Sequence, residues 1–447
     1  VAASREEAGI LALRSGVDSD LGGNCFSTDL VKACREGRLA EADIDRAVSR
    51  ILRLKFKMGL FDNPYVKVKK AEKLIGTPGH REVARQSVVL LKNENQLLPL
   101  SKEVKRVAVI GPNADNVYNQ LGDYTAPQAP GSVITVLEGI RQKLPGAEVR
   151  YVKGCAVRDT LDTSIGEACE TAKNSDVVVV GLGGSSARDF ETDFLETGAA
   201  VANERKVSDM ESGEGFDRIG LSLMGKQVEL LKALYATGRP VVLVMVQGRP
   251  LELNWAAEHI PAILTAWYPG GEGGRAIADV LFGDYNPAGR LPLSYPRHVG
   301  QLPVYYNHKS AERHDYVEGT AAPLYPFGFG LSYTTFVYEG IDVRVEGDSV
   351  RVSVDVKNVG GRAGDEVVQL YLRDEQASVV TPFMQLKAFQ RVHLTSGESR
   401  RVEFVLTEEH LRVLDTSLNW RVEPGWFTVM IGASSQDIRQ RTRFRID

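Results

Sequence analysis

The segment Met210-Glu211-Ser212-Gly213-Glu214-Gly215-Phe216-Asp217-Arg218 gathers acidic residues, glycines and an arginine into one short stretch. Glycines flank Glu214 on both sides, which permits sharp backbone turns and the close approach of a ligand. A carboxyl group on such a loop can be kept protonated once substrate expels water, because desolvation disfavours the ionised form. It can then donate to a leaving oxygen, the step that opens a glycosidic bond. Asp217 and Arg218 could pair and pin the loop. Taken alone, the same pattern also fits a solvated acidic loop.

Other candidates are weaker. Gly181-Leu182-Gly183-Gly184-Ser185-Ser186 follows an apolar run as a dinucleotide fingerprint would, but its third glycine position holds Ser186. No clear amphipathic helix follows, so it reads as a plain strand-to-loop turn. The nucleophile-elbow and Walker A patterns are absent. Histidines at 80, 259, 298, 308, 314, 393 and 410 lack ligand spacing, and cysteines at 25, 34, 155 and 169 form no CxxC motif. A local Cys25–Cys34 pair and four free thiols both stay open. Trp267 and Tyr268 end an apolar run beside glycines, where aromatics either stack on sugar rings or pack the core.

The bulk numbers narrow the field. The 447 residues allow two to four domains, and 43% hydrophobic with 25% charged residues is an ordinary globular balance. A net charge of −4 and a pI near 6.1 offer no basic footprint for nucleic acid or anionic membrane. No apolar run approaches the ~18 residues needed to cross a bilayer. Residue 1 is valine and the opening already has helix period, with Ala8, Leu11 and Leu13 on one expected buried face. The expectation is therefore a truncated or processed product.

Three regimes must position the candidate residues. Residues 1–60 read helix, a brief strand at 16–18 ending in Asp18, then helical pattern from 27 to 54 that stops at Gly59. One such unit cannot cover its strand and calls for a sheet supplied by other chain, such as a parallel barrel. Residues 61–77 read as a linker with solvated lysines. Residues 78–300 alternate apolar runs at 107–110, 177–180, 241–246 and 262–267 with helical stretches at 225–236 and 274–281. Alternation of this kind implies a mostly parallel sheet between two helix layers, with function at the loops after strand carboxyl ends. A Pro-, Gly- and Tyr-rich stretch runs to about 330. Beyond it, Val350, Val352, Val354 and Val356 alternate with polar residues, as in a half-buried antiparallel strand. An all-β sandwich of about seven strands fits this last regime.

Certain blocks carry a specific likeness: GVDSDLGGN at 16–24, IDRAVSRILRLKFKMGLFDNPY at 44–65, SVVLLKNENQLLPL at 87–100 and VAVIGPNA at 107–114. They continue with ESGEGFDR at 211–218, AWYPGGEGG at 266–274, ADVLFGDYNPAGRLPLSYP at 278–296 and YPFGFGLSYTTF at 325–336. In this order they resemble the β-glucosidases and β-xylosidases of glycoside hydrolase family 3, over essentially the whole chain. The resemblance implies an α/β plus all-β fold: the tail of a (β/α)8 barrel at 1–60, a linker at 61–77 and an (α/β)6 sandwich at 78–300. A connector at 301–330 and a fibronectin type III-like domain at 331–447 complete it. It implies that Glu214, in the family's S-G-E-G-Y/F-D-R type loop, is the acid/base, with Glu211 the fallback because that loop varies in length. It places Asp123 and Tyr124 near the sugar, Tyr124 as a wall beyond the cleavage point.

One departure stands out. The family's nucleophile is an Asp in an S-D-W-like motif after the seventh barrel strand, and that motif is absent here, as are the residues that grip the nonreducing sugar. Asp18 is read as supporting the pocket floor. The resemblance thus implies a retaining β-glycosidase half-site, inactive by itself, with a missing barrel segment or companion chain as partner. Its substrate is a β-linked oligosaccharide or aryl glycoside, with no cofactor or metal. A homo-oligomer stays open, and a periplasmic or secreted location is preferred to a cytoplasmic one. Rival readings are a non-catalytic carbohydrate-binding or scaffold relative, and a nucleotide-binding protein using residues 181–186.

Overall fold

A computed structural model describes residues 2–187, 208–213, 217–309 and 315–447. The Ser4 hydroxyl accepts the Glu7 N–H at 3.1 Å and starts α1 (Arg5–Arg14). Ser27 caps α2 (Thr28–Arg35) in the same way, and α3 (Glu41–Lys57) follows. Leu13, Leu30, Ala33, Leu39 and Ala47 form the small core of this stretch.

Some expectations change here. Residues 16–18 form no strand, because no second strand lies among the described residues up to 77 to complete a ladder. Gly37, at φ +73°, interrupts the helical pattern expected from 27 to 54. Leu11, expected on the buried face, is 42% exposed. The helix turns Gly9 inward instead, where a Cβ would lie 2.5 Å from the Cys25 carbonyl oxygen. The stretch at 61–77 carries a short helix, α4 (Val68–Glu72).

From residue 78 the chain builds a six-stranded sheet. It runs through α5 (Pro78–Ser87), β1 (Val89–Asn93), β2 (Arg106–Ile110), α6 (Val117–Leu121) and α7 (Val136–Lys143). Next come β3 (Glu148–Val152), α8 (Ile165–Lys173), β4 (Val177–Gly183), α9 (Gln227–Tyr235) and β5 (Val241–Val246). Then follow α10 (Asn254–His259), β6 (Ala262–Trp267) and α11 (Gly273–Leu281). The strand order is β1-β6-β5-β4-β2-β3, parallel except for β1, which runs antiparallel to β6.

The central strands are apolar at nearly every position because both faces are covered. Ala108, Ile110, Val178, Val180, Leu243 and Met245 pack with Ala168 and Ala172 of α8 and Leu230 and Leu234 of α9. The alternate residues Val107, Val109, Val177, Val179, Val242 and Val244 pack with Val136 and Ile140 of α7 and Ile277 and Leu281 of α11. Each fully buried Val, Leu or Ile contributes about 1.5–3 kcal/mol, so these two layers hold the sheet. Helix α11 is further tied down by Asp279, which is fully buried. Its carboxylate accepts from Arg81 Nε at 2.9 Å and Arg85 Nε at 2.7 Å on α5, and from Lys143 Nζ at 2.5 Å on α7.

All four cysteines are free thiols. Cys155, just past β3, is 1% exposed. Burial pushes its thiol up to about 12, against a smaller opposing pull from Lys153. Iodoacetamide at pH 8 should therefore leave Cys155 unmodified in the native protein and alkylate it after denaturation, as read by peptide mass spectrometry.

The C-terminal stretch forms a β-sandwich. Its strands are β7 (Phe336–Glu346), β8 (Ser349–Asn358), β9 (Gly364–Asp374), β10 (Gln385–Leu394) and β11 (Ser399–Leu406). A small hairpin of β12 (Val413–Leu414) and β13 (Trp420–Arg421) precedes β14 (Gly425–Gly432) and β15 (Ile438–Ile446). One sheet has the order β10-β9-β14-β15 and the other β11-β8-β7. Val350, Val352, Val354 and Val356 are all fully buried, as their alternation requires. A buried ion pair joins the sandwich to the preceding stretch: Arg290 meets Glu366 at 3.2 Å, and Tyr338 donates to the same carboxylate at 2.8 Å.

Candidate active site

The parallel strands β2, β4 and β5 deliver their loops to one edge of the sheet, and a buried amide network fixes those loops against each other. Asn113, beyond β2, donates through Nδ2 to the carbonyls of Gly184 at 3.0 Å and Val246 at 3.1 Å. Its Oδ1 accepts from Asn119 at 2.8 Å, and Asn119 in turn accepts from the Ser185 hydroxyl at 2.7 Å. From the other side, Gln227 on α9 accepts the Gly183 N–H at 2.9 Å and donates back to the Gly183 carbonyl at 2.9 Å. Satisfied buried networks of this kind hold one backbone geometry.

The glycines of this turn serve packing. A Cβ at Gly183 would lie 1.9 Å from the Val246 carbonyl oxygen. A Cβ at Gly184 would lie 2.0 Å from Glu211 Oε1, so the space beside Gly184 is filled by a carboxylate of this chain. A pyrophosphate there would meet that carboxylate.

The segment carrying Glu211 returns to the same edge. The Glu211 N–H donates to the Ser185 carbonyl at 2.8 Å, and Arg158 donates to the Met210 carbonyl at 2.7 Å. Asp209 accepts the Val157 N–H at 2.9 Å. Glu211 is only 6% exposed, and its Oε2 accepts from Arg218 Nη1 at 2.5 Å. Burial pushes the Glu211 carboxyl up, with Arg218, Arg249 and Arg158 pulling the other way. Arg218 also donates to the Ser222 carbonyl.

Asp217 does not pair with the Arg218 side chain, as the sequence reading expected. Neighbouring side chains diverge: Asp217 accepts the Arg218 backbone N–H at 2.7 Å and meets Arg249 at 2.7 Å. The Arg218 N–H and the Arg249 guanidinium hold Asp217 below the usual carboxylate range. Glu214, with Gly215 and Phe216, lies outside the described residues. Its two flanks are thus paired to each other through Glu211 and Arg218.

Asp123 and Tyr124 follow α6. Gly122, at φ +83°, lies so close to Tyr268 that a Cβ would be 2.7 Å from its ring. Tyr124 has φ +58°, is 72% exposed and donates its N–H to Asp123 Oδ1 at 2.7 Å. Tyr268, beyond β6, also presses on Gly248, where a Cβ would be 2.7 Å away. Burial raises its phenol, which is hydrogen-bonded to Ser186 and feels the charge of Glu211. Tyr268 therefore joins the Asp123 side of the edge to the Glu211 side. The preceding Trp267 is held at φ +56°, a strained value for a large side chain.

Sequence reasoning missed Arg249, Asn113 and the bridging place of Tyr268. The available signal was position: Asn113 and Arg249 each stand just beyond a strand end. Asp18 is paired with Arg50 at 3.0 Å.

Residues 88–333 match the glycosyl hydrolase family 3 C-terminal domain, and residues 366–435 match a fibronectin type III-like domain. A β-xylosidase of Formosa agariphila is 40% identical over 98% of this chain and 61% of its own length. A periplasmic β-glucosidase of Salmonella typhimurium is 36% identical over 98% of this chain and 60% of its own length. Among solved structures, a β-glucosidase from Erythrobacter marinus superposes with a TM-score of 0.86 at 40% identity, covering 100% of this chain and 61% of that one. A Listeria innocua β-glucosidase variant in complex with laminaribiose gives 0.85 at 34% identity, covering 100% and 61%. The chain thus spans about three-fifths of the length of these relatives. With the family's C-terminal domain matched over residues 88–333 and such relatives covering the whole chain, the chain belongs to glycoside hydrolase family 3.

Proposed function

We propose that this chain is the C-terminal part of a retaining β-glycosidase that removes terminal non-reducing β-glucosyl or β-xylosyl residues, with Glu214 as acid/base. The observation that carries the reading is the pairing of the residues that flank Glu214 in sequence, Glu211 with Arg218 and Asp217 with Arg249. A loop held at both ends can present one carboxyl group in a fixed place. In the first step the acid protonates the leaving oxygen while an Asp attacks the anomeric carbon. In the second, the same group, now a carboxylate, takes a proton from water as water displaces the Asp.

The Asp and most sugar contacts belong to a barrel whose tail is residues 1–60, followed by the linker at 61–77, the (α/β)6 sandwich at 78–300 and the connector at 301–330. The exposed Leu52, Leu54, Phe56 and Met58 on and just beyond α3 support that reading, since a barrel helix buries such residues against neighbours. Asp123 and Tyr124 line the approach to the sugar. A periplasmic or secreted location agrees with the periplasmic β-glucosidase among the relatives.

The test is to assay residues 1–447 alone, and then together with the barrel, on aryl β-glucosides and β-xylosides. The chain alone should show no turnover. The complete enzyme should release the β-anomer first, seen by proton NMR. Normal turnover by residues 1–447 alone would refute the divided site, and a first-formed α-anomer would refute retention.

A further inference from the structure

The last strand of the β-sandwich, β15, reads Ile438-Arg439-Gln440-Arg441-Thr442-Arg443-Phe444-Arg445-Ile446, with an arginine at every second position. Phe444 packs into the sandwich core, so Arg441, Arg443 and Arg445 stand exposed on the outer face of the sheet. Successive members of this row lie about 7 Å apart along the strand. Arg439 does not join them. At the register shift beside Gly432 its guanidinium lies over Tyr338, 4.9 Å from the ring centroid, and donates to the Phe336 carbonyl at 2.7 Å. Across the ladder the row stands opposite Met430, Thr428 and Trp426. Tyr306, Phe327 and Phe383 pack with Met430 at one end, whereas Trp426 at the other is 42% exposed. Two acids meet the row: Glu375 accepts from Arg443 at 2.7 Å, and Asp447 lies 3.2 Å from Arg445. Those two arginine side chains are still 54% and 59% exposed. Arg441 has no carboxylate within 4.0 Å among the described residues.

An edge strand needs charge to prevent pairing with another sheet, and lysine is enough for that. This row is arginine throughout. A guanidinium offers a planar fork that a carboxylate meets with two parallel hydrogen bonds, which an ammonium does not. Arg443 also holds its guanidinium 4.7 Å from the Trp426 ring centroid, so a cation and an exposed aromatic adjoin. An aromatic ring takes the apolar side of a sugar while a neighbouring cation takes its acidic substituent. Exposed pairs such as Arg443–Glu375 exchange readily for an outside anion. The chain as a whole carries a net charge of −4, which disfavours nucleic acid and other polyanions that need a broad basic surface. We infer that the outer face of β14 and β15 is a docking surface for a carboxylated polysaccharide, its uronate groups meeting Arg441, Arg443 and Arg445 and a sugar ring packing against Trp426. The inference goes beyond the proposed hydrolysis and does not depend on Glu214.

The test is isothermal titration of the complete enzyme with oligogalacturonate, and with the same oligomer methyl-esterified so that its charge is removed. Oligogalacturonate should bind and its methyl ester should not. Each exposed ion pair gives up to about 5-fold in affinity. Arg441→Gln, Arg443→Gln and Arg445→Gln combined should therefore weaken binding on the order of 10-fold. Arg441→Lys, Arg443→Lys and Arg445→Lys combined keep the charge without the fork and should fall between. Turnover of aryl glycosides should be unchanged in both variants. If the glutamine variant does not fold, Arg441→Gln alone, which breaks no ion pair among the described residues, should weaken binding about 3-fold. Absence of binding, equal binding of the methyl ester, or wild-type affinity in the glutamine variant would overturn the docking surface and leave the hydrolysis reading standing. Tighter binding of duplex DNA or of phosphatidylglycerol vesicles would also overturn it, assigning the face to nucleic acid or to membrane.

Discussion

Replacing Glu214 by alanine should lower kcat/KM for glycosides with poor leaving groups by about 10³-fold, within the 10²–10⁴ range that general acid catalysis supplies. For a 2,4-dinitrophenyl glycoside, glycosylation needs no proton, so that step should proceed at close to its normal rate. Deglycosylation still needs the base, so kcat should fall and the glycosyl-enzyme should accumulate. A burst of dinitrophenol followed by a slow steady state is the expected trace. KM for this substrate should fall along with kcat, because an accumulating intermediate lowers it. A variant that loses activity equally on all leaving groups would place the proton donor elsewhere.

The largest effect on stability should come from Asp279→Ala. The wild-type carboxylate is fully buried and receives Arg81, Arg85 and Lys143 from two helices. Removing it takes away the carboxylate the three cations share, leaving Lys143 with Asp284 at 2.5 Å and Arg85 with the more exposed Glu82 at 3.4 Å. Breaking a buried ion pair in this way costs about 3–5 kcal/mol. In a unit of this size that lowers the thermal midpoint by about 10 °C. A shift under about 2 °C would show that the cluster carries no such weight.

The acid dependence follows from the same contacts. Burial works to raise Asp279, but hydrogen bonds from Lys143, Arg81 and Arg85 outweigh it and the carboxyl lies below its ordinary value. Its contribution is therefore fully present above an unfolded pKa of about 3.9, and is lost as the pH falls through the lowered folded value. Wild type and variant should converge in stability in acid.

Periodicity made the frame legible. The apolar runs at 177–180 and 241–246 had to be strands covered on both faces, and the alternation at 350–356 had to be a strand that buries its valine face. Both features depend only on near neighbours in the chain. The brief strand expected at 16–18 failed for the opposite reason, since a strand exists only through its partner. Asp279 lies in a helical stretch with no local pattern to mark it. Only the fold shows that two other helices bring it their cations.

The candidate site was legible as a motif but not as a construction. Glu211, Asp217 and Arg218 could be named from local spacing, yet who pairs with whom could not. Asp217 meets Arg249, which lies 32 residues on and reaches the site from the end of β5. Tyr268 could be named as a strand-end aromatic, but its packing against Gly122 and Gly248 could not. Contacts between strand-end loops are set by the sheet order, which no local pattern contains.

The most direct measurement of the central claim is the product formed by Glu214→Ala from a 2,4-dinitrophenyl β-glycoside in the presence of azide. With the base removed, azide can enter where water was activated and attack the glycosyl-enzyme from the same face. The account predicts faster turnover with added azide and a β-glycosyl azide identified by NMR. No azide adduct from Glu214→Ala, or an α-glycosyl azide, would contradict it.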